Sequence, residues 1–329
     1  MKNPIIMAIL AVALGLGAAS CRKSEVNQTP AETRIRFGHF PNVTHVQALV
    51  AQNMSRQGKG WFEQRLGPGV KIDWFIYNAG PSAMEAIFAN SIDVTYVGPS
   101  PAINAYSKSN GEEIRIVAGA ANGGAALVVQ PDSAIKTGAD FRGKRIATPQ
   151  LGNTQDVACR AWLSEQGLKI SQLGGDAQVL PTSNPDQLAL FAQKKLDAVW
   201  TVEPWVSRLE REAGGKVFLE EKNSVTTVLV SSVKFMKDQR ALLKKLVEAH
   251  KELTDWIKAH PEEAQAMVVA ELGEETKSKI SPDLIASAWK RIELTNDASV
   301  DSLKVFVGNA QKAGFLRTIP EIARLVQNP

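Results

Sequence analysis

Ser91-Ile92-Asp93-Val94-Thr95-Tyr96-Val97-Gly98-Pro99-Ser100-Pro101-Ala102 reads as a buried strand running into a Gly-Pro turn and then a helix. The β-branched and aromatic run from Ile92 to Val97 favours a pleated, packed segment. Proline is preset for the first helical turn, and serine is a cap residue. The helix continues from Pro101 to Lys108. Outward from this unit the pattern repeats. Ile35 and Phe37 mark a strand, His45 to Asn53 a helix, and Val70, Ile72 and Trp74 a second strand. Ser82 to Asn90 is helical, and Ile114 to Ala118 is a further strand. This order predicts a largely parallel sheet with helices on both faces.

The middle of the chain repeats the scheme. Arg145 to Thr148 is a strand, Thr154 to Gln166 a helix, Val179-Leu180 a strand, Pro185 to Lys195 a helix and Ala198 to Thr201 a strand. There is a short internal echo. Ser91-Ile92-Asp93-Val94 leads to Gly98-Pro99, and Lys195-Leu196-Asp197-Ala198 leads to Glu203-Pro204. Two similar α/β lobes would produce it. The apolar run Ala125 to Gln130 and the Val/Thr run Val225 to Ser231 are each long enough to cross between such lobes. Beyond Ser232 the pattern is almost wholly helical, with Leu242, Leu243, Leu246, Val247, His250, Leu253 and Ile257 at helical spacing. These stripes read as core.

Five loops follow strands and open helices. They are Phe40-Pro41-Asn42-Val43-Thr44-His45, Ala79-Gly80-Pro81-Ser82, Gly98-Pro99-Ser100-Pro101, Gln150-Leu151-Gly152-Asn153-Thr154-Gln155 and Glu203-Pro204-Trp205. Ligands in open α/β sheets bind at the carboxyl ends of the strands, where these loops lie. Glycine lets backbone approach a ligand closely, and free first-turn amides with the helix dipole favour an anion. Several such ends facing one cleft would hold a sulfonate, nitrate or carboxylate without an arginine. Phe40 and Trp205 are candidate apolar walls or core aromatics. His45 is a candidate donor or a local hydrogen-bonding residue. Glu203 is awkward beside an anion unless paired: it would meet a ligand amine or lock closed lobes.

The chain has 329 residues and a formal net charge of +4. That small excess argues neither for nor against an anionic ligand. No basic block interleaved with aromatics points to nucleic acid, and the histidines lack metal-ligand spacing. At the start, Lys2, the apolar run Ile5 to Gly17 and Ala18-Ala19-Ser20 have the layout of a secretory signal. Cys21 follows directly, which is similar to the bacterial lipobox, although Ala18 stands where leucine is usual. Export, cleavage before Cys21 and lipidation of Cys21 are the expectation, with 1–20 as signal and 21–33 as tether. Cys159, the other cysteine, then has no partner and reads as a buried apolar residue.

The segments Phe37 to His45, Asn78 to Ala86, Tyr96 to Ala102, Pro149 to Asp156 and Asp140 to Ala147 together resemble the solute-binding proteins of ABC importers for nitrate, taurine and aliphatic sulfonates (NMT1/THI5-like). The resemblance covers nearly all of the chain from Arg34 onward. It implies an α/β type II periplasmic-binding-protein fold: two α/β lobes joined by two crossing strands, with a ligand cleft between them. The lobes would be 34–124 plus 228–329, and 125–227. The ligand residues it implies are Asn42, Thr44, Ser82, Ser100, Gly123, Gln150, Asn153, Thr154 and Glu203, with Phe40, His45 and Trp205 beside them. Gly80, Pro81 and Gly152 join from the loop reading above. His39 stands where a tyrosine is common, and Glu203 where many relatives carry aspartate.

The implied function is an exported, lipid-tethered monomer at the periplasm or cell surface. It would capture a small-molecule anion, an aliphatic sulfonate, taurine or nitrate, for an ABC permease and its ATPase subunit. It would have no cofactor and carry out no catalysis. Alternatives are a same-fold receptor for a thiamine-related pyrimidine or other heteroaromatic, a pyrimidine-synthesis enzyme with a pyridoxal-type cofactor and a cleft lysine, and a sensory domain.

Overall fold

Strands and helices alternate as expected. In the computed structural model, which describes residues 32–171 and 174–329, the chain begins with β1 (Thr33–His39), a 3-10 turn at Val43–His45, α1 (Val46–Arg56) and α2 (Trp61–Leu66). It continues through β2 (Val70–Ile76), α3 (Gly80–Phe88), β3 (Val94–Val97), α4 (Pro99–Lys108) and β4 (Ile114–Gly123). A second series follows: β5 (Ala125–Val129), a 3-10 turn at Gly138–Phe141, β6 (Arg145–Thr148), α5 (Thr154–Glu165), the two-residue strands β7 (Ile170–Ser171) and β8 (Gly174–Gly175), and β9 (Gln178–Pro181). Then come α6 (Asn184–Ala192), β10 (Ala198–Val202), α7 (Trp205–Ala213) and β11 (Lys216–Glu221). The return comprises β12 (Val225–Ser232), α8 (Val233–Asp238), α9 (Arg240–Ala259), α10 (Pro261–Thr276), α11 (Pro282–Trp289), β13 (Ile292–Leu294) and α12 (Val300–Lys312). Cys21 and the signal-like segment lie outside the described residues.

The strands form two main sheets, ordered β13-β4-β12-β3-β1-β2 and β11-β5-β10-β6-β9. The fold is two α/β lobes with a cleft between them. The chain passes between sheets twice, through Gly123-Gly124 from β4 into β5, and through 222–224 from β11 into β12. Gly123 and Gly124 have φ of 71° and 74°, in the left-handed region that glycine enters freely.

The sheets are less uniformly parallel than the sequence predicts. β1 is parallel to β2 and β3, and β6 is parallel to β9 and β10. However, β12 inserts antiparallel between β3 and β4, and β5 antiparallel between β10 and β11. The reason is geometric. A strand arriving from the other lobe enters at the cleft edge, where the parallel strands end, so it must run the opposite way. Val225 and Thr227, expected in the second lobe, pair with Asn122 and Ala121 in the first sheet.

The sequence echo is a structural repeat. Asp93 Oδ2 accepts from Arg36 N at 2.8 Å and Arg36 Nε at 3.1 Å. Asp197 Oδ2 accepts from Arg145 N at 2.8 Å and Arg145 Nε at 3.2 Å. Each aspartate lies three residues after a residue in left-handed conformation, Asn90 or Lys194. The same clasp thus joins neighbouring parallel strands in both sheets.

The helical stripe of α9 packs as core. Leu243, Leu246, Val247, Leu253 and Ile257 are buried against α1, α2 and the first sheet. Phe37 stacks on Trp74 and Tyr96 at ring distances of 4.9 and 5.2 Å. Complete burial of each such side chain contributes about 1.5–3 kcal/mol. In the second lobe Trp200, Trp162, Phe141 and Phe218 pack edge to face around buried Cys159. The later helices are interrupted by β13, whose three residues lack enough alternation to register as a strand in sequence.

Candidate functional site

The parallel strands end at the cleft, and the loops that leave them converge on a central void of about 30 Å³. From the first lobe come Phe40, Asn42, Thr44 and His45 after β1, then Asn78, Ala79 and Gly80 after β2. Gly98 and Pro101 follow β3, and Thr226 stands on β12. From the second lobe come Pro149, Asn153, Thr154 and Gln155 after β6, Asn184 after β9 and Val202 at the end of β10.

The beginnings of α3, α4, α5 and α6 therefore sit around one void. Each helix start carries a partial positive charge of roughly half an elementary unit and unpaired amides. No lysine or arginine lines the void among the described residues. The site offers neutral dipoles: amide, hydroxyl and imidazole groups.

His45 shows how such a donor is set. Its Nδ1 accepts from Phe40 N at 3.3 Å, so a neutral ring carries its proton on Nε2. Burial, followed by the neighbouring His39, pushes its pKa well below the ordinary histidine value. The Phe40 ring packs 4.3 Å from the His45 ring. Asn42 Oδ1 accepts from Trp205 Nε1 at 3.1 Å, which ties the first loop to α7.

Of the candidate residues, the structure brings Phe40, Asn42, Thr44, His45, Gly80, Asn153 and Thr154 to the void. Two of these already have partners within the protein. Asn153 caps α5, with Oδ1 accepting from Asp156 N at 2.8 Å. Thr154 Oγ1 accepts from Ser100 N at 3.4 Å, across the lobes.

The remaining expected residues lie elsewhere. Ser82 and Gln150 bond each other across the cleft rim, Gln150 Nε2 donating to Ser82 Oγ at 2.9 Å. Ser100 is buried beside Thr154, and its Oγ makes no hydrogen bond among the described residues. Pro81 and Gly152 line a separate groove with Leu151 and Phe315. The Gly123 amide donates to Ser224 O at 2.8 Å, and a Cβ there would meet Arg291 O at 2.4 Å. Gly123 is thus a tight crossing point. Trp205 lines an outer compartment instead of the void.

Glu203 is also withdrawn from the void. Its carboxylate is fully buried, accepts from Ser207 Oγ at 2.9 Å and Ser207 N at 3.1 Å, and pairs with Arg291 Nη1 at 3.0 Å. Burial raises its pKa, opposed by the Ser207 hydrogen bonds and by Arg291. Arg291 precedes β13 of the first sheet and also meets Glu210 at 2.9 Å and Glu220 at 3.8 Å. All three carboxylates belong to the second lobe, so one guanidinium bridges the lobes. Of the two roles the sequence left open for Glu203, its bonding fits the lock.

Five lining residues, Asn78, Pro149, Asn184, Val202 and Thr226, are not marked as candidates by the sequence. Asn184 carried a usable signal, because Ser183-Asn184-Pro185 repeats the cap-and-proline pattern of the other loops. Asn78, Pro149 and Val202 each lie one residue before a loop that opens a helix, where local chemistry does not mark them. Thr226 resembles any other strand threonine and gave no signal.

Comparison with known proteins agrees with this architecture. A provisionally named binding protein of Brucella abortus (strain 2308) is 24% identical over 280 residues, covering 81% of each chain. The taurine-binding periplasmic protein of Escherichia coli (strain K12) is 27% identical over 154 residues, covering 47% of this chain and 45% of that protein. Among solved structures, the alkanesulfonate-binding protein of Xanthomonas axonopodis pv. citri, bound to MOPS, superimposes with a TM-score of 0.74 at 20% identity, covering 91% of this chain and 99% of the other. The model of the NMT1-like family matches residues 28–272. With these loops around one cleft and that match over most of its length, the chain belongs to the NMT1-like family.

Proposed function

We propose that the protein is the solute-binding component of an ABC importer and captures a small oxyanion, an aliphatic sulfonate or taurine first and nitrate second. The observation that carries this reading is the set of four helix beginnings and neutral donors around a void that, among the described residues, no cation or carboxylate lines. Such a surface suits a compact anion, because amides and helix dipoles balance charge without a competing counter-ion. The names of the relatives above support the same ligand class. Lobe closure would bury the anion and present a surface to the permease. The lobes we assign are 34–124 with the chain from β12 onward, and 125–224. Cys21 is the proposed lipid anchor of an exported monomer.

A pyrimidine receptor is less well supported. Phe40 is packed against His45, and Trp205, the other aromatic such a ligand would stack on, lines the outer compartment and not the void. The enzyme alternative needs a cleft lysine, and among the described residues none lines the void. Purified protein is expected to bind taurine or methanesulfonate with one-to-one stoichiometry by calorimetry and to gain thermal stability, by about 2.7 kcal/mol at a hundredfold excess over Kd. If sulfonates, nitrate and phosphonates all leave the melting curve unmoved, the oxyanion reading is wrong.

A further inference from the structure

The inner void is not the only space between the lobes. An outer compartment of about 320 Å³ lies beside it, and Asn78 and Asn184 line both. Its size falls in the range of small-molecule sites, whereas the inner void admits only a compact group. The two spaces differ in chemistry. The outer walls include the apolar surfaces of Pro41, Pro185, Leu188 and the Trp205 ring. They also include one cation, Arg208.

Arg208 is held in place. Its guanidinium lies 4.7 Å from the Trp205 ring centre, and Glu212 accepts from Nε at 2.7 Å and from Nη2 at 3.1 Å. Trp205 is itself pinned by its bond to Asn42, a residue of the inner void. Among the described residues Nη1 has no partner, so one edge of the fork remains available. A planar, oriented guanidinium of this kind selects carboxylate-like acceptors better than a mobile ammonium.

Resting on the oxyanion reading above, we infer that the physiological ligand is two-ended. Its oxyanion head occupies the inner void, a short apolar stem passes between Asn78 and Asn184, and a second anionic terminus meets Arg208 in the outer compartment. Arg208 is then the residue that distinguishes an ω-carboxylated sulfonate from a plain one. The groove on the other side of the void is a poorer candidate. It shares only Pro101 with the void, and its lining includes a carboxylate, Glu85, as well as Lys108.

Calorimetry of the full-length protein with methanesulfonate, butanesulfonate and the ω-carboxylated analogue of butanesulfonate tests this. The carboxylated ligand should bind about tenfold or more tightly than butanesulfonate, which should bind more tightly than methanesulfonate. In Arg208→Gln the preference for the carboxylated ligand over butanesulfonate should collapse. In Arg208→Lys it should fall part of the way, and in Lys108→Gln it should persist. Equal affinities across the panel, or an Arg208→Gln variant that weakens all three ligands by one factor, would overturn the two-ended ligand and leave the oxyanion reading standing. Failure of every panel member to bind would remove both.

Discussion

His250 is fully buried at the centre of the first lobe, and its hydrogen bonds fix its state. Nε2 donates to Gly119 O at 2.8 Å, so Nδ1 accepts from the Tyr96 hydroxyl at 2.8 Å. Burial lowers its pKa from 6.5 to about 4, partly offset by the Gly119 bond. The sign follows from proton counting. Below 6.5 the unfolded chain takes up a proton that the folded chain refuses until about pH 4, so this residue's stabilising contribution is present above 6.5 and lost as pH falls through that window. The shift corresponds to about 3 kcal/mol. Glu203 and Glu221, whose pKa values burial raises, act in the opposite direction. Urea denaturation across this range should therefore show a shallower acid loss of stability in His250→Gln than in the parent, and superimposable slopes would refute the assignment. The sequence placed His250 on a core stripe correctly. It could not show that the ring serves as a polar joint, because its partners Tyr96 and Gly119 are remote in the chain.

At the scale of elements, the joining of strand, glycine loop and helix start was legible from local chemistry. Proline at the first turn of α3, α4 and α6, and the Asn153 cap of α5, are decided within a few residues. How closely two such elements approach was not legible. A Cβ on Gly98, before α4, would lie 2.2 Å from Thr154 Oγ1 at the start of α5 in the other lobe. The backbone of Gly98 is extended, with φ of −70° and ψ of 155°, so alanine is acceptable there in every respect except this approach. Gly98→Ala should therefore weaken ligand binding by about tenfold through a steric cost in the closed arrangement, while the urea midpoint of the unliganded protein moves little. A midpoint that drops in step with affinity would place the clash within the fold and not in closure.

For the whole molecule, the contact between the lobes at Arg291 is the most exposed to disruption. Removing this guanidinium leaves the buried Glu203 carboxylate with only its Ser207 bonds. Arg291→Met is expected to cost about 3–5 kcal/mol in urea denaturation at neutral pH, and Glu203→Gln in the same chain should restore part of it. A loss below 1 kcal/mol, in the range of surface pairs, would show that the bridge is not a lock. Arg291 had no sequence signal, because its three carboxylate partners lie more than seventy residues earlier. The sequence by itself determined the alternating elements, the position of the void-lining loops after their strands and, through the Asp93 and Asp197 echo, the likeness of the lobes. Those features depend on periodicity, caps and turns, which act over a few residues. The tertiary structure alone decided the direction of β5 and β12, the withdrawal of Glu203 into an ion cluster, and which loop side chains reach the void. Those depend on where a strand enters its sheet and on partners remote in the chain, which periodicity over a few residues does not encode.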